Sequence, residues 1–314
     1  MAKNKRRSGA GVAGLAFGVA LGVLFGTYVL APNLPGGPNE EGNNAVRELA
    51  TAKSDAAIAD AQAGAADSYI EATANETVTD ALKDRPVLIF HTADAAQEDV
   101  DAIAAMRGKA GAKDAGIIKL EEKFFSKDGA DTLKSVAAHT LPAGAKLSTT
   151  QLDPGTHAGE ALGAALLLNK DDGKPLAETD ERALLLGALR DSEYISYKDG
   201  TVLPAQVVIL VTGDSDGVGD ANFAAVHQAT FAKALDKSAN GVVVAGRVKT
   251  AAETGVVGIL RKDAQSGVST VDSVDRAFGR IATILSAREQ LENKQGDYGT
   301  ASDVDAVSPG KSKL

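Results

Sequence analysis

A short glycine-bounded loop is the segment of this 314-residue chain whose residue types most resemble a catalytic motif. It reads Gly213-Asp214-Ser215-Asp216-Gly217, a G-x-S-x-G sequence between a predicted strand and a predicted helix. In an α/β-hydrolase that context exposes the serine as a nucleophile, and an acidic residue and then a histidine follow along the chain. His227 is the only later histidine, and it falls inside the very next predicted helix. We therefore predict a polar turn opening a helix, no catalytic residues and no enzymatic activity.

The same loop could in principle hold a cation or a nucleotide. Asp214, Asp216 and Asp220 offer carboxylates to a hard cation, but the glutamate that closes an EF-hand loop is missing. Gly217-Val218-Gly219 begins like a dinucleotide fingerprint, but Asn222 replaces its third glycine. We expect no metal and no cofactor here.

Copper ligands are sparse along the whole chain. Copper prefers thiolate, thioether or imidazole donors, and the chain has no cysteine and one methionine after Met1, which is Met106. The four histidines are scattered without the spacing of a local metal motif; they are His91, His139, His157 and His227.

Composition limits the remaining function classes. With 44% hydrophobic and 24% charged residues the chain is typical globular material, and the absence of cysteine excludes disulfides and thiolate chemistry. The net charge of −9 argues against nucleic acid as a partner, because phosphate binding needs clustered Lys and Arg.

The N-terminal forty residues predict the topology. Residues 1–8 carry four basic side chains and form a predicted cytoplasmic tail, and residues 9–31 carry no charge over a length that can span a bilayer. The positive flank keeps the N-terminus in the cytoplasm, so a single-pass protein of the cell membrane with an extracytoplasmic bulk is expected. Pro32 directly after the span, together with the length of the span, favours an uncleaved anchor over a signal peptide.

The predicted span carries a glycine at every fourth residue, which forms a face on which a second helix can pack. These glycines are Gly14, Gly18, Gly22 and Gly26.

A linker and a long helix are expected next. Residues 32–42 are rich in proline and glycine, whereas residues 43–83 contain 13 alanines and no proline, which predicts a helical, coiled-coil-like stalk. Its apolar stripe is too thin for a sustained heptad. The stalk is therefore either a spacer or a helix that packs on a partner, in the same molecule or on another protein, with a homodimer as one alternative. The predicted partner-binding positions are Val46, Leu49, Ile58, Ala61, Ala65, Tyr69, Val78 and Leu82.

Residues 84–293 alternate between short apolar runs and helical stretches, which predicts an α/β fold with a Rossmann-like, mainly parallel sheet. The predicted strands are Val87–Thr92, Gly116–Leu120, Gln206–Thr212, Val242–Gly246 and Val256–Leu260. The predicted helices are Asp94–Arg107, Asp131–His139, His157–Leu168, Asp180–Arg190, Asp220–Leu235 and Val274–Gln290. Residues 294–314 are polar and are predicted to be disordered. Because parallel sheets place ligand crevices at the carboxyl ends of their strands, the Gly213–Asp220 loop also allows a small-ligand sensor.

Three segments near the C-terminus carry a resemblance. Residues 268–275 read VSTVDSVD, and Gly279-Arg280 and a Gly296-Asp297-Tyr298-Gly299 ending follow. Together with the basic end, membrane helix, stalk and α/β body, they resemble the closing signature of the actinobacterial copper transporter MctB family, and most of all its corynebacterial SteB branch.

The resemblance implies two functions of different classes. One is copper transport or efflux by a channel-type envelope protein. The other is a non-enzymatic, membrane-anchored regulator of cell separation, which binds a peptidoglycan hydrolase of the NlpC/P60 type together with a SteA-like membrane partner. A single membrane helix cannot line a pore by itself, so the sequence favours the regulator.

Overall fold

The structure is a computed structural model that describes residues 40–310. The chain divides into two compact units inside its first described helix, between Tyr69 and Ile70. The described part of the first unit is helical, and the second unit is an α/β body.

A seven-stranded sheet forms the centre of the body. The strands are β1 (Pro86–Thr92), β2 (Lys113–Leu120), β3 (Ile195–Tyr197), β4 (Val207–Val211), β5 (Val242–Ala245), β6 (Ser269–Val271) and β7 (Asp297–Tyr298). Their order is β3-β2-β1-β4-β5-β6-β7, and all neighbours are parallel except β3 against β2. The prediction of a mainly parallel α/β sheet is confirmed.

Eight α-helices lie within residues 40–310. They are α1 (Glu40–Val78), α2 (Gln97–Lys109), α3 (Ala130–His139), α4 (Pro154–Leu166), α5 (Thr179–Asp191), α6 (Ala221–Ser238), α7 (Val256–Lys262) and α8 (Ala277–Leu291). Short 3-10 helices occur at Glu122–Phe125 and Val248–Ala251.

Alternate strand residues build a core on each face of the sheet. Leu88 and Phe90 of β1 belong to the core that includes α3 to α7, whereas Val87 and Ile89 belong to the core that includes α2 and α8. All five residues of β4 are buried, as expected of a central strand covered on both faces.

One predicted strand is a helix. Residues 256–260, read as a strand, form most of α7, and the strand beside β5 is the more polar β6 downstream. Short apolar runs do not distinguish strand from helix by periodicity, which explains the error. Position 258 in this helix requires glycine, because a Cβ there would overlap the carbonyl oxygen of Ala252.

The stalk and the tail also differ from their predicted bounds. Helix α1 begins at Glu40, inside the predicted linker 32–42, and ends at Val78 rather than at residue 83. The tail predicted to be disordered from residue 294 instead contributes β7, which pairs with β6. β7 has only two residues and lies at the sheet edge, so it leaves no apolar run in the sequence.

Within residues 40–310, no helix combines the length and apolar character needed to cross a membrane. The predicted span 9–31 and its four glycines lie outside the described residues.

Candidate functional site

A crevice opens where the carboxyl ends of β1, β2 and β4 meet. From β1 the sheet continues through β2 on one side and through β4 and β5 on the other, so this is the point where the strand order reverses. Ligands of open parallel sheets bind at such points. The cavity has a volume of about 440 Å³, and Gly213, Ser215 and Asp220 of the predicted loop line it.

The glycines of that loop serve close approach and turn geometry. A Cβ on Gly213 would overlap the carboxylate of Asp94, so glycine lets that side chain reach the crevice. Gly217 has a φ of +69°, and a Cβ there would overlap the carbonyl of Thr254. Contacts within the chain therefore explain why both positions are glycine, and no bound nucleotide is needed to explain them.

Two of the three loop carboxylates are engaged within the chain. Asp214 Oδ2 lies 3.0 Å from Lys249 Nζ, and Asp216 Oδ1 accepts a hydrogen bond from Val218 N at 3.0 Å. These contacts stabilise the turn and the Lys249 side chain, as local partners of acidic turn residues commonly do.

The serine and histidine of the G-x-S-x-G segment have local partners. Ser215 Oγ accepts a hydrogen bond from Gly217 N at 3.2 Å. His227 Nδ1 lies 2.6 Å from the Phe223 carbonyl in its own helix, and its ring stacks on Phe223 with centroids 4.0 Å apart. Each group stabilises the element that contains it.

The remaining candidate copper ligands are distributed in the same way. His91 Nδ1 lies 3.1 Å from the Thr92 carbonyl, and burial lowers the pKa of this imidazole. His139 and His157 each contact a backbone carbonyl, at Ser135 and at Ser148 respectively. Met106 belongs to α2, and its side chain is buried in the core. In the part of the chain that the structure describes, no three or more His, Cys, Asp or Glu residues are grouped to hold a metal ion.

Several crevice residues are absent from the sequence-based candidates. Asp94 follows β1, Glu122 and Asp128 follow β2, and Thr212 follows β4. Thr92 Oγ1 donates a 2.5 Å hydrogen bond to Asp94 Oδ1 and so fixes this carboxylate at the crevice. Their positions at or after the ends of predicted strands place them at the carboxyl edge of the sheet. The sequence does not give the order of the strands, which is what brings these residues together.

The segments that carry the resemblance take part in a buried ion-pair network around Arg261 of α7. Arg261 Nη1 of α7 lies 3.0 Å from Asp272 Oδ2 at the end of β6, and both side chains are almost completely buried. Arg261 also donates to Thr270 Oγ1 at 2.8 Å and to the Tyr298 carbonyl at 2.9 Å. Asp272 in turn accepts from Thr300 N at 2.8 Å. The network therefore holds β7 and the following turn against β6.

Two glycines of the same segments allow this packing. A Cβ on Gly279 would overlap the Ser273 carbonyl, and Gly299 has a φ of +134° with its Cβ position inside the Asp272 carboxylate. Burial raises the pKa of Asp297. The pKa of Tyr298 is raised as well, mainly by burial and also by the hydrogen bond and charge of Glu289. The family-like signature is thus a structural element of the sheet edge.

Helix α1 separates the predicted partner-binding residues into two groups. The predicted positions in residues 46–69 are exposed, and the side chains of Val46, Leu49, Ile58 and Tyr69 are each more than half accessible. Val78 and Leu82 instead lie in the core of the body and are fully buried. Val78 and Leu82 therefore pack within the molecule itself, and binding of a second protein by the exposed positions stays a prediction.

Known proteins match the chain over almost all of its length. The family described as "Copper transport outer membrane protein, MctB" matches residues 4–309. Copper transporter MctB of Mycobacterium bovis is 31% identical over 300 residues, which cover 94% of this chain and 95% of that protein. The protein of the same name from Mycobacterium tuberculosis gives the same values, and that of Mycobacterium leprae is 33% identical over 241 residues, covering 74% of this chain and 75% of the relative. The chain therefore belongs to the MctB family of copper transport proteins.

Proposed function

We propose that this chain acts in copper transport at the cell envelope, the activity for which its mycobacterial relatives are named. The observation that carries the proposal is the extent of the similarity, which covers residues 4–309 and nearly the whole length of the relatives. Such coverage includes the predicted membrane span, α1 and the complete α/β body. The proposal therefore concerns the whole chain rather than one motif.

In this proposal the chain works without catalysis, as a tethered component outside the cell membrane. In the 213–217 loop, Asp214 pairs with Lys249, and Ser215 and Asp216 accept local backbone hydrogen bonds. The four histidines each contact a backbone carbonyl. We therefore assign the handling of copper, its cargo, to an assembly that the chain forms with envelope partners. The α/β body serves as the folded platform of that assembly.

The test is the copper tolerance of cells that lack the chain. We expect deletion to lower the copper concentration that halves growth by several-fold, and expression of the full chain to restore it. Zinc tolerance is the matched control and should not change. Equal copper tolerance with and without the chain would overturn the proposal.

A second candidate function is regulation of cell separation, implied by the resemblance to the SteB branch. The observation that favours it is the exposed apolar side chains of α1, such as Leu49 and Ile58, at positions where a partner helix can dock. The partners would be a peptidoglycan hydrolase of the NlpC/P60 type and a SteA-like membrane protein. The relation to that branch remains a prediction.

Capture of the hydrolase by variants of α1 tests this second candidate. Ile58→Asp should reduce capture at least fivefold, because it places a charge in the apolar contact. Ala59→Asp is the matched control, since adjacent helix residues point about 100° apart. Undiminished capture by Ile58→Asp, or equal loss in both variants, would contradict a role for this face.

A further inference from the structure

A small polar cavity lies at the amino ends of β6 and β7, at the edge of the sheet opposite to the crevice. It has a volume of about 120 Å³ and is lined by the loop between α7 and β6, by residues 295–297 and by Asp305. A water molecule takes up about 30 Å³ of liquid. The cavity therefore has room for an ion with a few water molecules and is too small for most organic ligands.

The carboxylates at this cavity exceed the cations that could balance them. Among the described residues that line it, only Arg261 is positively charged. Arg261 Nη1 already lies 3.0 Å from Asp272 Oδ2 and 2.8 Å from Asp303 Oδ1. Asp297 Oδ1 is 3.9 Å from Arg261 Nε, and Asp305 forms no ion pair with the described residues. The pKa of Asp297 is raised, mainly by burial and also by the charges of Asp305 and Asp303, as expected where negative charge is in excess.

Three side-chain oxygens at the cavity have no hydrogen-bond partner among the described residues. Asp297 Oδ1 accepts from Thr270 Oγ1 and Asp305 Oδ2 accepts from Asp297 N, which leaves the second oxygen of each carboxylate open. The third is the Oγ of Ser266, which lines the cavity and is only 8% exposed. Neighbouring atoms do not enclose this oxygen completely, so a ligand in the cavity can reach it. Because buried hydroxyls are nearly always paired, its state indicates a missing group.

We propose that this cavity binds a hydrated calcium ion. Calcium takes roughly six to eight oxygen ligands from carboxylates, neutral groups and water, in a flexible geometry. The open oxygens of Asp297 and Asp305 supply the negative charge, Ser266 Oγ supplies a neutral ligand, and water completes the shell. The described residues contain no group of three or more His, Cys, Asp or Glu ligands, so the neutral oxygens are needed and the binding is weak.

The ion joins three segments that are distant along the chain. Ser266 belongs to the loop before β6, Asp297 to β7 and Asp305 to the tail, whose backbone already bonds to β7 between Gly299 N and Ala306 O. Binding therefore clamps the tail against the edge of the sheet. It should slow the exchange of backbone amide hydrogens several-fold in residues 295–306 and leave exchange in residues 86–92 of β1 unchanged.

The experiment titrates Ca²⁺ into the full chain in detergent, after removal of metals with a chelator, and follows heat release, thermal unfolding and amide exchange. We expect saturable binding with a Kd of about 10⁻⁴–10⁻³ M and a raised unfolding midpoint. Asp297→Asn/Asp305→Asn should weaken binding at least tenfold, although asparagine keeps an oxygen for the existing hydrogen bonds. Ser266→Ala should weaken it several-fold. The exposed pair Asp60→Asn/Asp171→Asn removes the same charge elsewhere and should bind like the parent.

Four outcomes would overturn the proposal. They are absence of saturable Ca²⁺ binding, equal weakening in the cavity and control double variants, parent-like binding by Ser266→Ala, and a midpoint shift that NaCl reproduces at equal ionic strength. If the cavity double variant fails to unfold cooperatively, Ser266→Ala decides, because it removes one hydroxyl that bonds to no other described residue. None of these measurements depends on the copper function.

Discussion

At the scale of single residues, most side chains suited to chemistry stabilise the fold. Arg261 and Asp272 are the strongest case, because both are charged, buried and hydrogen-bonded to several groups. Removing one partner of a buried ion pair leaves an uncompensated charge. These residues are therefore expected to determine stability rather than activity.

Asp272→Ala should lower the free energy of unfolding by about 3–5 kcal/mol, because Arg261 then lies buried without its carboxylate. Urea unfolding followed by circular dichroism measures this. Asp303→Ala is the control, since this carboxylate pairs with the same arginine but is 46% exposed, and it should cost about 1 kcal/mol or less. Equal costs for the two variants would contradict the importance of the buried pair.

Asp153 gives a prediction that depends on pH. It caps α4 by accepting from Thr156 N at 2.9 Å, and it accepts from Thr230 Oγ1 of α6 at 2.6 Å. Burial acts to raise its pKa, but the hydrogen bonds from Thr156 and Thr230 outweigh burial and leave the pKa below 3.8. The ionised carboxylate therefore stabilises the fold above that pH, and the contribution disappears as the pH falls through the lowered pKa.

Asp153→Ala should cost about 1–2 kcal/mol at pH 7, in the range of lost helix caps. The difference from the parent should shrink as the pH falls below 3.8, and urea unfolding at several pH values measures it. The exposed Asp171→Ala is the control and should show no such dependence. A cost for Asp153→Ala that is constant down to acid pH would contradict the assignment.

At the scale of elements, the sequence predicts the strands that are long and apolar and misses those that are not. β1, β4 and β5 were recognised because buried parallel strands are continuous apolar runs. β3, β6 and β7 have two or three residues each, and only their neighbours in the sheet make them strands. The crevice followed from the loop after β4, but Asp94 and Glu122 required the strand order.

Helix α1 contains the boundary between the two compact units of the chain. Its alanine-rich sequence predicted a helical stalk that continues to residue 83. Ala74, Val78 and Leu82 are instead fully buried in the core that also contains α2 and α8. The separable part therefore ends near Tyr69, where the contact units divide.

Deletion of residues 43–69 should leave the cooperative thermal unfolding of the body unchanged. Deletion of 43–83 should lower its midpoint strongly or abolish the transition, because losing one buried leucine alone costs about 2–5 kcal/mol. Circular dichroism of both purified variants distinguishes the two. Equal midpoints would place the true boundary after residue 83.

At the scale of the whole molecule, charge and topology describe an acidic body attached to a basic end. Four of the 33 basic residues lie in residues 1–8, which leaves 29 against 42 acidic residues beyond them. Membership of the MctB family joins this architecture to proteins named for copper transport. The resemblance to this family lies in residues 268–299, which stabilise the sheet edge in this fold.

The copper content of cells shows whether the chain serves copper transport at the envelope, as we propose. Mass spectrometry would compare parent cells, cells without the chain and cells that express it again, all grown with the same added copper. We expect several-fold more copper per cell after deletion, and the parental level after re-expression. Unchanged copper in the deletion strain, together with cells that fail to separate, would contradict this claim and favour the regulator of cell separation.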